Sequence, residues 1–107
     1  MIFIETSVFT RQIKNLISDD SYRQLQEWMV ESPDRGKVIP GSAGCRKLRW
    51  KIAGKGKRGG IRVIYYWLKD SHQVFMLIAY AKTASDDLTQ EQIKLLGELV
   101  RNEFRSP

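Results

Sequence analysis

The sequence contains a single cysteine, Cys45, and a single histidine, His72. One cysteine cannot form an internal disulfide, and one cysteine with one histidine supplies too few ligands for a zinc site. We therefore expect no metal and no cofactor. Cys45 could in principle act as a nucleophile, but His72 belongs to the polar turn KDSHQ and nothing in the sequence pairs the two. We interpret Cys45 as a structural residue at the start of a strand.

Long apolar segments are also absent. No run approaches the ~18 residues of a membrane-spanning helix, and the first residues lack the basic, then apolar, then small pattern of a signal peptide. We expect a cytoplasmic protein with no membrane partner. The length of 107 residues and the hydrophobic content of 42% predict one domain over residues 1–107, with a single core.

Acidic residues are missing from one segment, Cys45–Tyr66, which reads CRKLRWKIAGKGKRGGIRVIYY. Eight of its 22 residues are lysine or arginine, more than the net charge of +6 of the whole chain. A local basic patch on a small domain is typical of a protein that binds a polyanion. The alternative is a solvated surface loop. We favour the functional interpretation because the basic residues continue along strands and because four glycines in the segment let the backbone approach a ligand.

Hydrophobic periodicity predicts the element order βααβββα and an α+β fold. The sheet is expected to be small and rich in antiparallel pairs, with an N-terminal helical hairpin and a C-terminal helix flanking it. Strands are predicted at 2–5, 46–52, 61–68 and 74–81, the last three as a meander.

Capping residues set the predicted helix limits. The first helix follows a cap at Thr6 or Ser7 and ends near Ile17, and the second follows a cap within 18–21 and ends near Ser32, ahead of a proline. Thr89 and Gln92 form a capping-box pair that starts the last helix. Residues 34–44 are predicted to form a loop, with Val38 and Ile39 packed against the core. The pair Asp86 and Asp87 is interpreted as carboxylates of the last helix start.

The segments LRWKIAGKGKRGGIRVIYYW and VFMLIAYAK, in this order of elements, resemble the RelE/ParE superfamily of bacterial toxins. Within it they are similar to the HigB subgroup, which carries the loop KGKRGG ahead of a strand reading RxIYY. The resemblance covers nearly the whole chain. It implies a RelE-like fold and the toxin of a type II toxin–antitoxin system. It further implies metal-independent cleavage of mRNA in the ribosomal A site, and neutralisation by a cognate antitoxin with a helix-turn-helix DNA-binding domain.

The resemblance transfers to some residues and not to others. RelE-type toxins use two basic residues on the first meander strand, which Lys47 and Arg49 match, and an arginine at the start of the next strand, which Arg62 matches. They also use a later arginine and a tyrosine, where this sequence has Thr83 and a position near Thr89. Extra basic residues are the proposed substitutes: Lys55, Lys57 and Arg58 of the loop, and Lys82 behind them.

Metal-free RNA cleavage needs deprotonation of the 2′-hydroxyl, neutralisation of the phosphate oxygens and stabilisation of the leaving 5′-oxygen. Arginine suits phosphate binding because its fork stays charged, whereas lysine can titrate among like charges. The predicted catalytic residues are Lys55, Lys57, Arg62 and Lys82. The predicted RNA- and phosphate-binding residues are Arg46, Lys47, Arg49 and Arg58.

Two other classes of function fit the same pattern. The chain could be a ParE-like inhibitor of DNA gyrase, or a basic nucleic-acid-binding module without turnover, since one fold can host different activities. The basic, glycine-rich centre favours the nuclease. The aromatic residues of the strands could stack on bases, but alternation buries most of them.

Overall fold

The computed structural model describes residues 1–51, 60–82 and 87–104. Within these residues the chain forms five strands and three α-helices. The strands are β1 (Ile2–Glu5), β2 (Lys37–Val38), β3 (Arg46–Trp50), β4 (Ile61–Leu68) and β5 (Gln73–Ala81). The helices are α1 (Ser7–Leu16), α2 (Asp19–Glu31) and α3 (Gln90–Glu103), and a short 3-10 turn at Lys69–Ser71 joins β4 to β5.

All five strands belong to one sheet, in the order β1-β5-β4-β3-β2. The three central strands form the predicted antiparallel meander, and β1 adds to β5 in the parallel direction. The predicted α+β class, with an N-terminal helix pair and a C-terminal helix around a sheet rich in antiparallel pairs, is therefore confirmed. The sequence did not indicate β2, because two paired residues are too few to produce a period-two pattern.

The helix starts follow from hydroxyl side chains that accept free backbone N–H groups. Thr6, rather than Ser7, caps α1 by accepting from the N–H of Phe9 at 3.0 Å. Ser18 caps α2 through the N–H of Ser21 at 3.1 Å. At α3 the predicted capping box is present, with reciprocal bonds between Thr89 and Gln92 of 2.8 and 3.1 Å. Each bond satisfies a donor that the helix leaves unpaired.

The sheet separates two apolar cores because alternate strand residues point to opposite faces. On the first, which we call the helix-pair face, α1 and α2 pack against β3, β4 and β5, with Phe9, Leu25, Val63, Tyr65 and Met76 fully buried. On the second, the α3 face, Leu96 and Val100 of α3 pack against Cys45, Ile64 and Leu77. The expected single core is thus divided by the sheet into two layers.

Val38 does not pack against the core as predicted. It lies in the edge strand β2 with 51% of its surface exposed, whereas Ile39 is half-buried against the α3 face. The edge position explains the difference, since β2 has a neighbouring strand on one side only.

None of the helices in the described ranges is long and apolar enough to cross a membrane.

Candidate functional site

Three basic side chains converge on the α3 face where β3 pairs with β4. Arg49 lies directly opposite Arg62, and Lys47 lies directly opposite Ile64, a residue of the α3-side core. Directly opposed residues share a face of the sheet, as do residues two apart in one strand. Lys47, Arg49 and Arg62 therefore occupy one face, as the alternation of β3 predicted for the first two. We call these three residues the basic cluster.

Arg62 is the unusual member of the basic cluster because it is only 7% exposed. Its Nη1 makes a weak contact of 3.4 Å to the carbonyl of Ile61, and its Nε is buried without a hydrogen-bond partner among the described residues. Buried charges in proteins are normally paired, because removing them from water is costly. A guanidinium whose Nε has no partner among the described residues has the chemistry needed to bind phosphate oxygens.

Asp87 brings a carboxylate to the basic cluster from a distant part of the sequence. Its Oδ1 accepts from Nζ of Lys47 at 2.9 Å, and its side chain is 81% exposed. The hydrogen bond and charge of Lys47 lower the pKa of Asp87, and the charges of Arg49 and Arg62 add to the effect. We interpreted Asp87 as a helix-start carboxylate; instead it precedes α3 by three residues and pairs with β3. Glu91 is the acidic residue of the first turn.

A groove of about 440 Å³ is lined by two members of the basic cluster. Lys47 and Arg49 line it from β3, residues 37–40 form one wall, and the segment that starts α3, including Asp87 and Leu88, forms the other. Arg62 is one strand further into the sheet, as the cross-strand neighbour of Arg49. Two cationic side chains of the basic cluster therefore line the groove, and the third lies on the neighbouring strand.

No protein-family model matches the chain. Among solved structures, a double mutant of the E. coli toxin RelE in the free state is 22% identical, covering 79% of this chain and 86% of its own, with a TM-score of 0.50. The intact E. coli RelBE toxin–antitoxin complex is 19% identical over 75% of this chain and 94% of that chain, with a TM-score of 0.52. The chain has the RelE fold.

Three further residues of this RelE-like fold are predicted for the site from the loop ahead of β4. Lys55, Lys57 and Arg58 belong to the range 52–59, outside the described residues. The residues that flank that range in the sequence lie next to the basic cluster, because Trp50 pairs with Ile61 and the adjacent pair is Arg49 with Arg62.

Lys82 follows β5 and is exposed. Its backbone N–H donates to the carbonyl of Gly60 at 3.1 Å. This bond brings the end of β5 next to the start of β4. Lys82 is therefore near the basic cluster in the fold, although its side chain makes no hydrogen bond or ion pair that the described residues show.

Arg46 lies apart from the basic cluster. It pairs with Tyr65 across the sheet, on the helix-pair face, and its Nη1 donates to the carbonyls of Asp34 and Gly36 at 2.9 and 2.8 Å. These contacts tie the loop after α2 to the sheet, so the geometry favours a structural role over phosphate binding. The sequence contained the signal, since alternation along β3 already separated Arg46 from Lys47 and Arg49.

Tyr65 secures the same loop from the sheet side. Its hydroxyl donates to the carbonyl of Pro33 at 2.7 Å and accepts the N–H of Gly36 at 2.9 Å. A Cβ on Gly36 would lie 2.9 Å from Oη of Tyr65 and 3.0 Å from the carbonyl oxygen of Lys47, so a larger residue does not fit without movement. Residues 33–36 are thus a rigid connection between α2 and β2, which we call the clamped loop.

Cys45 is fully buried in the α3-side core, and burial raises the pKa of its thiol to about 11. His72 lies in the turn between β4 and β5. A buried thiol that resists ionisation is a poor nucleophile. This agrees with the interpretation of Cys45 as structural.

Proposed function

We propose that the protein is the toxin of a type II toxin–antitoxin system, of the HigB type, and that it cleaves mRNA on the ribosome without a metal. The observation that carries the proposal is the direct cross-strand opposition of Arg49 and Arg62 beside Lys47, with Arg62 buried and its Nε without a partner among the described residues. Like charges directly opposite each other destabilise a sheet. Such an arrangement is favourable once a polyanion lies between the charges.

The basic cluster suits the phosphoryl chemistry of RNA cleavage. The 2′-oxygen attacks phosphorus, its proton passes to a base, the bond to the 5′-oxygen breaks and an acid protonates that oxygen. The products are a 2′,3′-cyclic phosphate and a 5′-hydroxyl. Arg49 and Arg62 would neutralise the equatorial oxygens as negative charge develops, a role that arginine performs bidentately.

The acid and base are assigned to lysines in this proposal. Lys55 and Lys57 are the first candidates, because Trp50 and Ile61, which flank their range in the sequence, pair next to the basic cluster, and Lys82 is the next. Arg58 would add a phosphate contact from the same range. Lys47 is already bonded to Asp87, so the carboxylate occupies a position that a phosphate of the substrate would take.

Two partners are part of the proposal. Without a histidine pair the chain has weak intrinsic acid–base chemistry, so we assign the positioning of the mRNA to the ribosomal A site. The toxin–antitoxin complex with a similar fold supports a cognate antitoxin. We expect that antitoxin to carry a helix-turn-helix domain, on the basis of the HigB resemblance alone, and the toxin to work in the cytoplasm.

Primer extension on mRNA in a purified translation system tests this function. Wild-type protein should produce cuts within translated frames only when ribosomes are present, and Arg49→Ala should abolish them. Lys69→Ala is a matched control, because it also removes one exposed charge but lies in the turn between β4 and β5. Equal cleavage of naked mRNA would contradict ribosome dependence. Relaxed or broken DNA with intact mRNA would favour gyrase as the target instead.

A further inference from the structure

A second groove, of about 230 Å³, lies beside the outer edge of β3. It is lined by Trp28 from α2, Arg35 from the clamped loop, Lys37 from β2 and the run Lys47, Leu48 and Arg49 from β3. Four of these six side chains are cationic and none is acidic. Three of them, Lys37, Lys47 and Arg49, also line the first groove. The two grooves therefore form one continuous basic track around β2.

The shortness of β2 makes this track possible. Its two residues pair with Lys47 and Arg46 only. Further along β3, no strand of the described residues lies on the outer side of Leu48–Trp50. The groove occupies this interval, between the strand edge and the end of α2.

Arg35 and Trp28 form a flat, charged surface at the far end of the track. Cζ of Arg35 is 4.0 Å from the centroid of the Trp28 ring, and the Trp28 and Trp50 rings are 5.3 Å apart. Nη2 of Arg35 donates to the carbonyl of Trp28 at 3.3 Å, and the Glu31 carboxylate is 3.8 Å away. The side chain remains 29% exposed, and its Nε has no partner among the described residues.

The clamped loop holds this surface in place before any ligand arrives. Tyr65 and Arg46 bind the residues on either side of Arg35, and the tight fit at Gly36 leaves the backbone little freedom. A guanidinium that is already stacked and hydrogen-bonded loses less conformational entropy on binding than a free arginine side chain.

We propose that the second groove is a nucleotide subsite, which holds an unstacked nucleotide next to the phosphate bound at the basic cluster. The base stacks on the guanidinium of Arg35, with Trp28 behind it, and Lys37 binds the phosphate that connects the two grooves. Arginine planes and aromatic rings are the surfaces on which proteins stack single-stranded bases. The inference rests on the proposed RNA substrate. An acidic peptide would also match the charge, but it has no need of a flat stacking surface that continues a phosphate groove.

Binding of short, non-cleavable 2′-O-methyl RNA tests the subsite. Three probes are compared by titration: a mononucleotide with 5′- and 3′-phosphates, a trinucleotide, and the same trinucleotide with its flanking positions abasic. Stacking of one base corresponds to about a fivefold to 150-fold gain in affinity. Wild-type protein should bind the intact trinucleotide more tightly than the abasic one by a factor in this range.

The variants separate stacking from charge. Arg35→Gln should remove the preference for the intact over the abasic trinucleotide and leave binding of the abasic trinucleotide unchanged. Arg23→Gln makes the same substitution on the surface of α2, where the side chain is 69% exposed, and should keep the preference. Lys37→Ala should weaken both trinucleotides equally, because it loses a phosphate contact only. Urea unfolding verifies that each variant is folded, and the comparison of intact with abasic trinucleotide on the wild-type protein tests the stacking surface without any variant.

Specific results overturn the subsite. Equal binding of intact and abasic trinucleotides by wild-type protein would do so. A loss of the preference for the intact trinucleotide in Arg23→Gln as large as the loss in Arg35→Gln would do so as well. A glutamate-rich peptide that binds as tightly as the trinucleotide, and is weakened equally by Arg35→Gln, would assign the groove to a protein partner. Failure of the proposed function can be told apart from failure of the subsite. A protein that prefers the intact trinucleotide but cuts no mRNA on ribosomes would have the nucleotide subsite and lack the nuclease activity.

Discussion

Replacing Arg62 by methionine should separate catalysis from stability. Methionine has a similar length and can fill the space of a side chain that is only 7% exposed, while it removes the charge. Loss of a group that stabilises transition-state charge costs about 3 to 4 kcal/mol, so single-turnover cleavage on programmed ribosomes should fall by about 100-fold to 1,000-fold.

The same substitution should not weaken the fold. It removes a charge that lies directly opposite the like charge of Arg49, an arrangement that destabilises a sheet by about 0.2 to 1 kcal/mol. It also removes a buried Nε that has no partner among the described residues. We therefore expect the free energy of unfolding, measured in urea, to rise by about 1 kcal/mol. A structural arginine would give the opposite result, because replacing it would remove stabilising contacts.

Arg62→Lys serves as the control, since it keeps the charge without the bidentate fork. Its cleavage rate should lie between those of the wild type and Arg62→Met. A folded Arg62→Met protein with near-normal cleavage would refute the assignment of Arg62 to the phosphate. A fall in unfolding free energy of more than about 1 kcal/mol would refute the physical account of why it is buried there.

Three further predictions follow from individual contacts. Tyr65→Phe removes a buried hydroxyl that bonds to Pro33 and Gly36, and should lower the urea unfolding free energy by about 1 to 3 kcal/mol; no change would show that the clamped loop does not depend on it. Asp87→Asn releases Lys47 and should raise the affinity for non-cleavable RNA severalfold at low salt, an effect that should shrink as salt increases and whose absence would contradict competition by the carboxylate. Cys45 should react with iodoacetamide at pH 8 only after unfolding, because it is buried and its thiol pKa is raised; rapid labelling of folded protein would contradict this.

The parts of the fold that depend on local pattern could be predicted from the sequence. Period-two alternation identified β3, runs of β-branched, aromatic and apolar residues identified β4 and β5, and the capping pair of Thr89 and Gln92 marked the start of α3. These signals lie within a few neighbouring residues. The same alternation placed Lys47 and Arg49 on one face of the sheet.

The features that could not be predicted join residues far apart in the chain. Asp87 meets Lys47 across 40 residues, and Tyr65 meets Gly36 across 29. No local pattern encodes such distances, because they depend on how the helices and the sheet pack together. Arg46 is a different case, because alternation along β3 already places it on the face opposite Lys47 and Arg49, where it bonds to the carbonyls of Asp34 and Gly36. The assignments of Lys55, Lys57 and Arg58 remain predictions.

The parallel pairing of β1 with β5 has a consequence for the order of folding. Thr6, at the end of β1, donates its hydroxyl to the carbonyl of Leu77, 71 positions later in the chain. Contacts between residues so distant in sequence form slowly, because the intervening chain must be closed into a loop first. On a translating ribosome β1 therefore cannot pair until β5 has been synthesised. The apolar surfaces of α1 and α2 stay exposed to solvent until the meander forms. We expect the helix pair to be the part of the nascent chain most exposed to chaperones and proteases, and the meander with its basic cluster to take shape before the sheet edge closes.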